Sequence, residues 1–584
     1  MTKVKFGSLL LLFQGILLNL CVVFVDYGDD FLPSDPKSRE NHKKPQYKSP
    51  VFQDVHVMVF LGFGLIITFL RRYSRGMLVH SFLIGGVVIQ WATLLQGLFS
   101  MENRKVLLTL SRMLNADYAV MAVLISFGAL MGKCNSLQLL ITAMLETFFF
   151  AVNEAILLRY LGVSDNGRAI VVHIFGAYFG LAVSRMIFSR KVCMSQALSM
   201  SSKSEMYSFI GTLFLWVYWP SMNAAFVSGS AHNRAIANTY FALAASCLSA
   251  FSFTVLQSKE SKFNILHLQN ATLAGGVSIA AVAAMLLKPW YAIIIGVVGA
   301  LSSVLTYKFI VPALRRHLKI HDTRGIHAAH GVPGIVSALA SIVVAIMANE
   351  SKFKASLYDM YPARVPKQNT TQYLELQKFS SFPPGEGRTA LMQGMYQLGG
   401  LVCTLAVAIF GGALTGFIIR IKFFEPVKVN DAFDDHVDFD EANCIDVSSE
   451  PEYEDDDERH HDSINGTTRL IDDHHSDIVA DNNVNMTHFE SKRSSVANSI
   501  DRSLQNLHGS KGSYHILNET AGPVDEDADK AEGEWIAPPP PSLLLDGLEP
   551  NQPNENGIEM KPLVVMNEKP PLDDKATDIN AIKS

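Results

Sequence analysis

"DTRGIHAAHGVPG" (residues 322–334) sets a polar patch against a run, "GIVSALASIVVAIM", apolar enough to cross a membrane. Asp322 stands eight residues before His330. Far upstream, "DNGRAIVVHIFGAYFG" (165–180) has the same form, with Asp165 eight residues before His173 and the histidine again inside an apolar run. A polar ring is costly inside hydrocarbon, so an intramembrane histidine is a functional candidate by default. Two such units in one chain ask for a common explanation.

Composition supplies the setting. Of 584 residues, 49% are hydrophobic and only 18% charged. Apolar stretches of about 18 or more residues are candidate spans, and twelve are read at 6–25, 52–70, 77–99, 116–132, 136–160, 169–188, 206–228, 237–257, 267–287, 290–312, 327–347 and 390–420. The fourth is marginal by length. The expected fold is an all-α polytopic membrane protein of about twelve helices. The first stretch, "MTKVKFGSLLLLFQGILLNLCVVF", begins like a signal peptide, yet "VDYGDD" follows where small residues would mark a cleavage site. It is read as an uncleaved helix.

Lysine and arginine in the short loops orient the chain. "MTKVK", "RRYSR" (71–75), "GK" (132–133), "SRK" (189–191) and "LRRHLK" (314–319) fall on one side if the helices alternate, with "MENRK" (101–105) a weak exception on the other. Both termini are therefore expected in the cytoplasm, most simply at the plasma membrane. The 348–389 loop is then external, and its sequons at Asn349 and Asn369 are candidate glycosylation sites. Residues 1–424 form the membrane domain. Residues 425–584 read as a cytoplasmic tail: acidic blocks, Ser/Asn-rich sequence and "PPPP" argue for disorder. Such a tail can recruit cytoskeletal or trafficking partners. Its sequons "NGT", "NMT" and "NET" would be silent. Six scattered cysteines suggest neither a disulfide framework nor a metal site. No cofactor, no nucleic-acid partner and no enzymatic constellation is expected.

Helix geometry now explains the repeated unit. Eight helical residues rise about 12 Å, while half a hydrocarbon core is about 15 Å. Under simple alternation, Asp165 starts its helix from outside and Asp322 from inside, so His173 and His330 approach the bilayer centre from opposite faces. Opposed half-domains meeting near the midplane are the signature of an inverted-topology repeat, with its binding site between the repeats. Two adjacent imidazoles can share a hydrogen bond, bind a small polar solute or exchange a proton near neutral pH. Asp165 and Asp322 are expected to cap their helices, which leaves room for a role in attracting cations. Glu154, in "FFFAVNEAILLRY", is a third acidic candidate on the outer side. His321 and His327 bracket Asp322 at the cytoplasmic boundary, where solvated or capping roles come before metal binding. The tail's "RHHD" and "DDHH" are weak metal candidates only.

The chain resembles the Rhesus glycoproteins of the ammonium transporter superfamily over about residues 1–440. The blocks that carry the likeness are "FQDVHVMVFLGFG" (52–64), "LNADYAVMAVLISFGALMGK" (114–133), "FAVNEAILL" (150–158), "HIFGAYFGL" (173–181), "GTLFLWVYWPSMNAA" (211–225), "HLQNATLAGGV" (267–277), "HGVPGI" (330–335) and "FDDHVDF" (433–439). The resemblance implies a twelve-helix subunit, a homotrimer or related heterotrimer, and an ammonia pore through each subunit. It places His173 and His330 on the family's twin-histidine positions, Asp165 and Asp322 on its paired acidic positions, and Glu154 in the outer vestibule. The family's two gate phenylalanines correspond to Tyr118 and Met222, so the gate differs in this chain.

A physical mechanism fits these parts. Stripping water from ammonium costs several kcal/mol or more, whereas neutral ammonia crosses a dry pore cheaply. An acidic vestibule would gather the cation, an apolar constriction would exclude hydrated ions, and the imidazoles would bind ammonia after deprotonation. A carbon dioxide channel and a non-transporting scaffold are the competing readings. The paired histidines favour ammonia over both.

Overall fold

A computed structural model describes residues 2–28, 31 and 48–439. The readings made for the tail past 439 lie outside the described residues. Helices occur at all twelve expected places: α1 (Thr2–Phe24), α2 (Ser49–Ile66), α3 (Ser74–Leu98), α4 (Leu110–Leu130), α5 (Ser136–Tyr160), α6 (Ala169–Met186), α7 (Ser202–Ala224), α8 (Gly229–Gln257), α9 (Ile265–Ile279), α10 (Pro289–Leu318), α11 (His327–Met347) and α12 (Ala390–Ile419). Ten are individually long and apolar enough to span a membrane, the exceptions being α7 and α9. The chain is a multi-pass membrane protein.

Helix ends follow local chemistry. Thr109 accepts from the Arg112 N–H to start α4, Asn135 and Gln138 cap each other's backbone at α5, and Ser201 with Ser204 does the same for α7. The Thr109 cap begins α4 at Leu110, six residues before the start read from hydropathy. That lengthening removes the doubt about the fourth span, which is buried almost all round. Helix α9 behaves in the opposite way, ending at Ile279 although its sequence stays apolar to 287. The unwound stretch is tolerated because neighbouring groups take its backbone bonds. Gly167 donates to the Ala280 carbonyl at 3.0 Å, Ser337 accepts from the Ala281 N–H at 3.0 Å, and Asn238 donates to the carbonyls of Ala283 and Leu286 at 2.8 and 2.9 Å.

Cross-helix contacts fix directions. Residue 168 lies beside 115, 176 beside 122 and 180 beside 126, so α6 runs parallel to α4. His327 meets Tyr178 and Gly334 meets Ile174, so α11 runs antiparallel to α6. Arg168 reaches Asn115 near one end of α4, while Arg324 donates its N–H to Gly128 near the other. Those ends are about 20 Å apart at the rise of an α-helix. The two Asp-x7-His units therefore enter from opposite ends and meet between them, as an inverted repeat requires.

Small residues allow the close approach. A Cβ on Gly176 would lie 2.5 Å from the Ala122 carbonyl oxygen, and one on Gly180 2.6 Å from the Ser126 Cα. Without a hydrophobic drive between helices in lipid, such backbone-to-backbone packing carries much of the association. Helix α1 sits outermost. It buries Phe13 and Leu17 in a cluster with Val87, Leu94 and Leu140 while Leu11, Leu18 and Val22 remain exposed on an apolar surface suited to lipid. A short parallel ladder, β1 (Val25–Tyr27) with β2 (Val106–Leu108), ties its end to the loop before α4.

Residues 425–439, assigned to the tail by composition, pack back onto the helices. Phe433 is fully buried and donates its N–H to the Gly132 carbonyl at 3.0 Å. The Asp435 carboxylate accepts the N–H groups of Arg75 and Gly76 at 3.0 and 2.7 Å, at the first turn of α3. Asp434 pairs with Arg72 at 2.6 Å.

Gly180→Ala should destabilise the protein by about 1–3 kcal/mol, because its added carbon meets backbone that cannot move freely. Gly86→Ala has nothing within 4 Å of the new carbon and should leave thermal unfolding in detergent unchanged or slightly raised. Equal melting shifts for the two variants would contradict the packing described.

Candidate functional site

Both histidines sit on π-helical first turns, Ala169–Ile174 and His327–Gly331. Such turns widen the helix and recur at functional sites. An aspartate holds each turn in place. The Asp165 Oδ2 accepts the N–H groups of Ile170 and Val171 at 2.8 and 2.9 Å. The Asp322 Oδ1 accepts those of Gly325 and Ile326, and its Oδ2 that of His327, all at 2.9 Å. Both carboxylates are buried, at 3% and 9% exposure. Burial pushes both above the ordinary carboxylate value, and the backbone donors pull them back. Their accessible charge is spent on helix N-termini, so as cation attractors they stand behind the chain, with Asp165 Oδ1 alone left unbonded.

The two imidazoles meet where the turns cross. Their ring centroids are 5.2 Å apart with planes 12° from parallel. Their planes are nearly parallel, and they do not hydrogen-bond to each other. The Trp219 ring lies 5.6 Å from His173 at 21°, and the Phe63 ring 6.1 Å from His330 at 27°. Aromatic rings thus flank both imidazoles. Among the described residues, neither nitrogen of His173 has a hydrogen-bond partner, and neither does His330 Nδ1. Buried polar atoms are ordinarily paired, so these edges are suited to a small polar solute.

On the Asp165 side of the pair lies Tyr118, fully buried, whose hydroxyl donates to the Met222 carbonyl at 2.6 Å. Met222 is fully buried. Phe226, four residues on and just past the end of α7, places its ring against Tyr118 with centroids 5.0 Å apart. Above Phe226 sits the Arg168 guanidinium, 4.3 Å from the ring centroid. Arg168 also lies 3.8 Å from Glu154, whose other oxygen accepts from Gln96 at 2.7 Å. Glu154 is buried and matched by a cation, which changes its expected character as a free vestibule carboxylate.

On the Asp322 side, His321 and His327 are 8% and 6% exposed, contrary to the solvated position expected for them. Burial, with Lys133 and Arg315 nearby, pushes His321 down to about 3. Lys133, pushed down to about 8 by burial, donates to Ser184 and to the His321 carbonyl at 2.9 and 2.7 Å. His327 packs edge-on to Tyr178 at 5.5 Å, and its Nδ1 has no partner among the described residues. The fold encloses these groups because the 320–326 loop is pulled inward by Arg324.

Several residues of this site were not singled out in the sequence. Trp219, Phe63 and Phe226 read as ordinary span residues. Asp117, held by His56 at 3.1 Å, and Glu146, bonded to Ser126, are acidic residues inside apolar runs. Their cost in a membrane was the available signal.

The Ammonium Transporter Family model matches residues 16–434. Ammonium transporter Rh type B of Danio rerio is 39% identical over 445 residues, covering 74% of this chain and 92% of its own. The protein of that name from Rattus norvegicus is 38% identical over 438 residues, covering 74% and 91%. Among solved structures, Rh50 of Nitrosomonas europaea superposes with a TM-score of 0.55 at 23% identity, covering 79% of this chain and 98% of its own. Mep2 of Saccharomyces cerevisiae does so with a TM-score of 0.51 at 19% identity, covering 65% and 86%. The solved structures support the fold, and the extent of the match places the whole membrane domain: the chain belongs to the Ammonium Transporter Family.

Proposed function

We propose that the protein conducts ammonia, recruited as ammonium, along a path that passes Tyr118 and Phe226 and then the edges of His173 and His330. The observation that carries this reading is the imidazole pair, buried, nearly parallel and without protein partners for three of its four nitrogens. Aromatic walls on both sides make the path dry, and hydrated cations cannot be stripped there cheaply. An imidazole edge offers a donor or an acceptor to a neutral solute without any carboxylate in reach. Asp165 and Asp322 act in this reading by fixing the two rings. Glu154 is the recruiting carboxylate, and Tyr118 with Met222 and Phe226 forms the gate.

The finer assignments follow the same reading. The protein acts as a homotrimer in the plasma membrane, with both termini in the cytoplasm and glycans on the 348–389 loop. Support for the glycans comes from Asn349 and Asn369, both on exposed positions. The membrane domain ends near 424, with the 425–439 segment folded against it and the remaining tail free to bind cytoplasmic partners.

Ammonia-driven pH change in proteoliposomes, recorded together with membrane current, tests the pathway. His173→Ala and His330→Ala should each slow the flux at least tenfold, an effect of about 1.4 kcal/mol. Wild-type flux no faster than empty vesicles would remove the channel reading. Phe226→Ala should open the gate and let methylammonium pass, while Met222→Ala should change selectivity less, because it is the Phe226 ring that packs against the Tyr118 ring. If instead Met222→Ala opens the pore and Phe226→Ala does not, the gate lies at Met222.

A further inference from the structure

The two repeated units each carry an arginine just after the aspartate, and the fold treats the two differently. Arg324 is buried and fully engaged: it donates to the Ile66 carbonyl at 3.1 Å, Asn270 at 2.9 Å and Gln269 at 2.7 Å. Its job is to hold the inner loop. Arg168 is buried to the same degree, at 7% exposure, yet has no comparable set of acceptors. Its nearest are Asn115 at 3.4 Å and Glu154 at 3.8 Å, and its Nε has no partner among the described residues. A guanidinium carries a fixed charge. Here that charge rests on the face of Phe226 at 4.3 Å, directly over the Tyr118–Phe226 pair.

The surroundings add to the effect. A cavity of about 180 Å³ opens beside it, lined by Gln96, Arg112, Asn115, Glu154, Arg159 and Arg168. Three arginines and Glu154 line it, with Glu102 near Arg112, so its surroundings carry more cationic than anionic groups. A cation in this cavity meets Glu154 and the Arg168 charge 3.8 Å from it together.

We infer that Arg168 is a specificity-determining residue: it weakens the hold of Glu154 on cations and repels them from the gate, so that the species passing Tyr118 and Phe226 is neutral. The inference rests on the proposed pathway for what permeates, but the weakened hold itself is a property of binding. Coulomb repulsion between charges several ångströms apart at a protein surface is large enough to shift affinity by an order of magnitude.

The test is equilibrium binding of methylammonium to the purified full-length protein by calorimetry, with proteoliposome flux measured separately. Arg168→Gln keeps length and removes charge; it should tighten methylammonium binding about tenfold, the change that 1.4 kcal/mol produces. Arg168→Lys should bind as the wild type does. Adding Glu154→Gln to Arg168→Gln should abolish the gain. Glu154→Gln alone leaves Arg168 unopposed and should weaken binding, which keeps the test open if the Arg168 variants fold poorly. Unchanged affinity in Arg168→Gln, or the same gain in Arg168→Lys, would overturn the inference and leave Arg168 as a loop anchor. If the wild type conducts no ammonia but Arg168→Gln still binds more tightly, the transport reading falls and the cation filter stands.

Discussion

Every backbone N–H inside a membrane needs an acceptor, and the site is built on how two helix starts meet that demand. A helix that begins within the protein exposes its first four donors. Asp165 and Asp322 reach forward from the preceding loops and take those of Ile170, Val171, Gly325, Ile326 and His327. Because each aspartate fixes its helix by its first turn, the histidine a few residues on is placed without any bond of its own. Free ring nitrogens at the crossing are thus a consequence of where the capping is done. The same constraint governs α9, whose unwound end survives because Asn238, Ser337 and Gly167 satisfy it.

This arrangement separates rigidity from chemistry. The aspartates, Arg324 and the glycine contacts of α6 with α4 are all engaged in holding backbone. Three of the four imidazole nitrogens, by contrast, have no partner among the described residues. A nearly parallel pair also leaves both rings free to present nitrogen edges to a solute, whereas a mutual hydrogen bond would occupy one nitrogen of each.

What the sequence made legible was whatever a single helix determines. Spans follow from apolar length, and eight residues on a helix give one distance, so the depth and opposition of His173 and His330 could be read before any contact was known. The rest depended on neighbours. Helix α9 ends where a donor from α8, Asn238, and an acceptor from α11, Ser337, take over its backbone groups, which its own hydropathy cannot register. The 425–439 segment is acidic and reads as tail, yet Asp435 is acidic because it caps α3. Phe226 could not be distinguished from the aromatic residues around it without knowing that the turn just past α7 sets its ring against Tyr118.

The charge at the outer mouth shows why residue type alone misleads about vestibules. Glu154 suggests an acidic funnel when considered by itself. Beside Arg168 it is one half of a loose pair at 3.8 Å, with the other half lying over the gate. A tight pair would cancel both charges at this distance from solvent. A loose one leaves the arginine able to act on whatever approaches, since Coulomb interactions strengthen as water is excluded. An apolar gate already disfavours a cation through lost hydration. A guanidinium set directly above that gate raises the same barrier electrostatically, without narrowing the path for a neutral molecule. Dehydration and repulsion then act on one species and spare the other, so a pore of this design can discriminate by charge between two forms of nearly equal size.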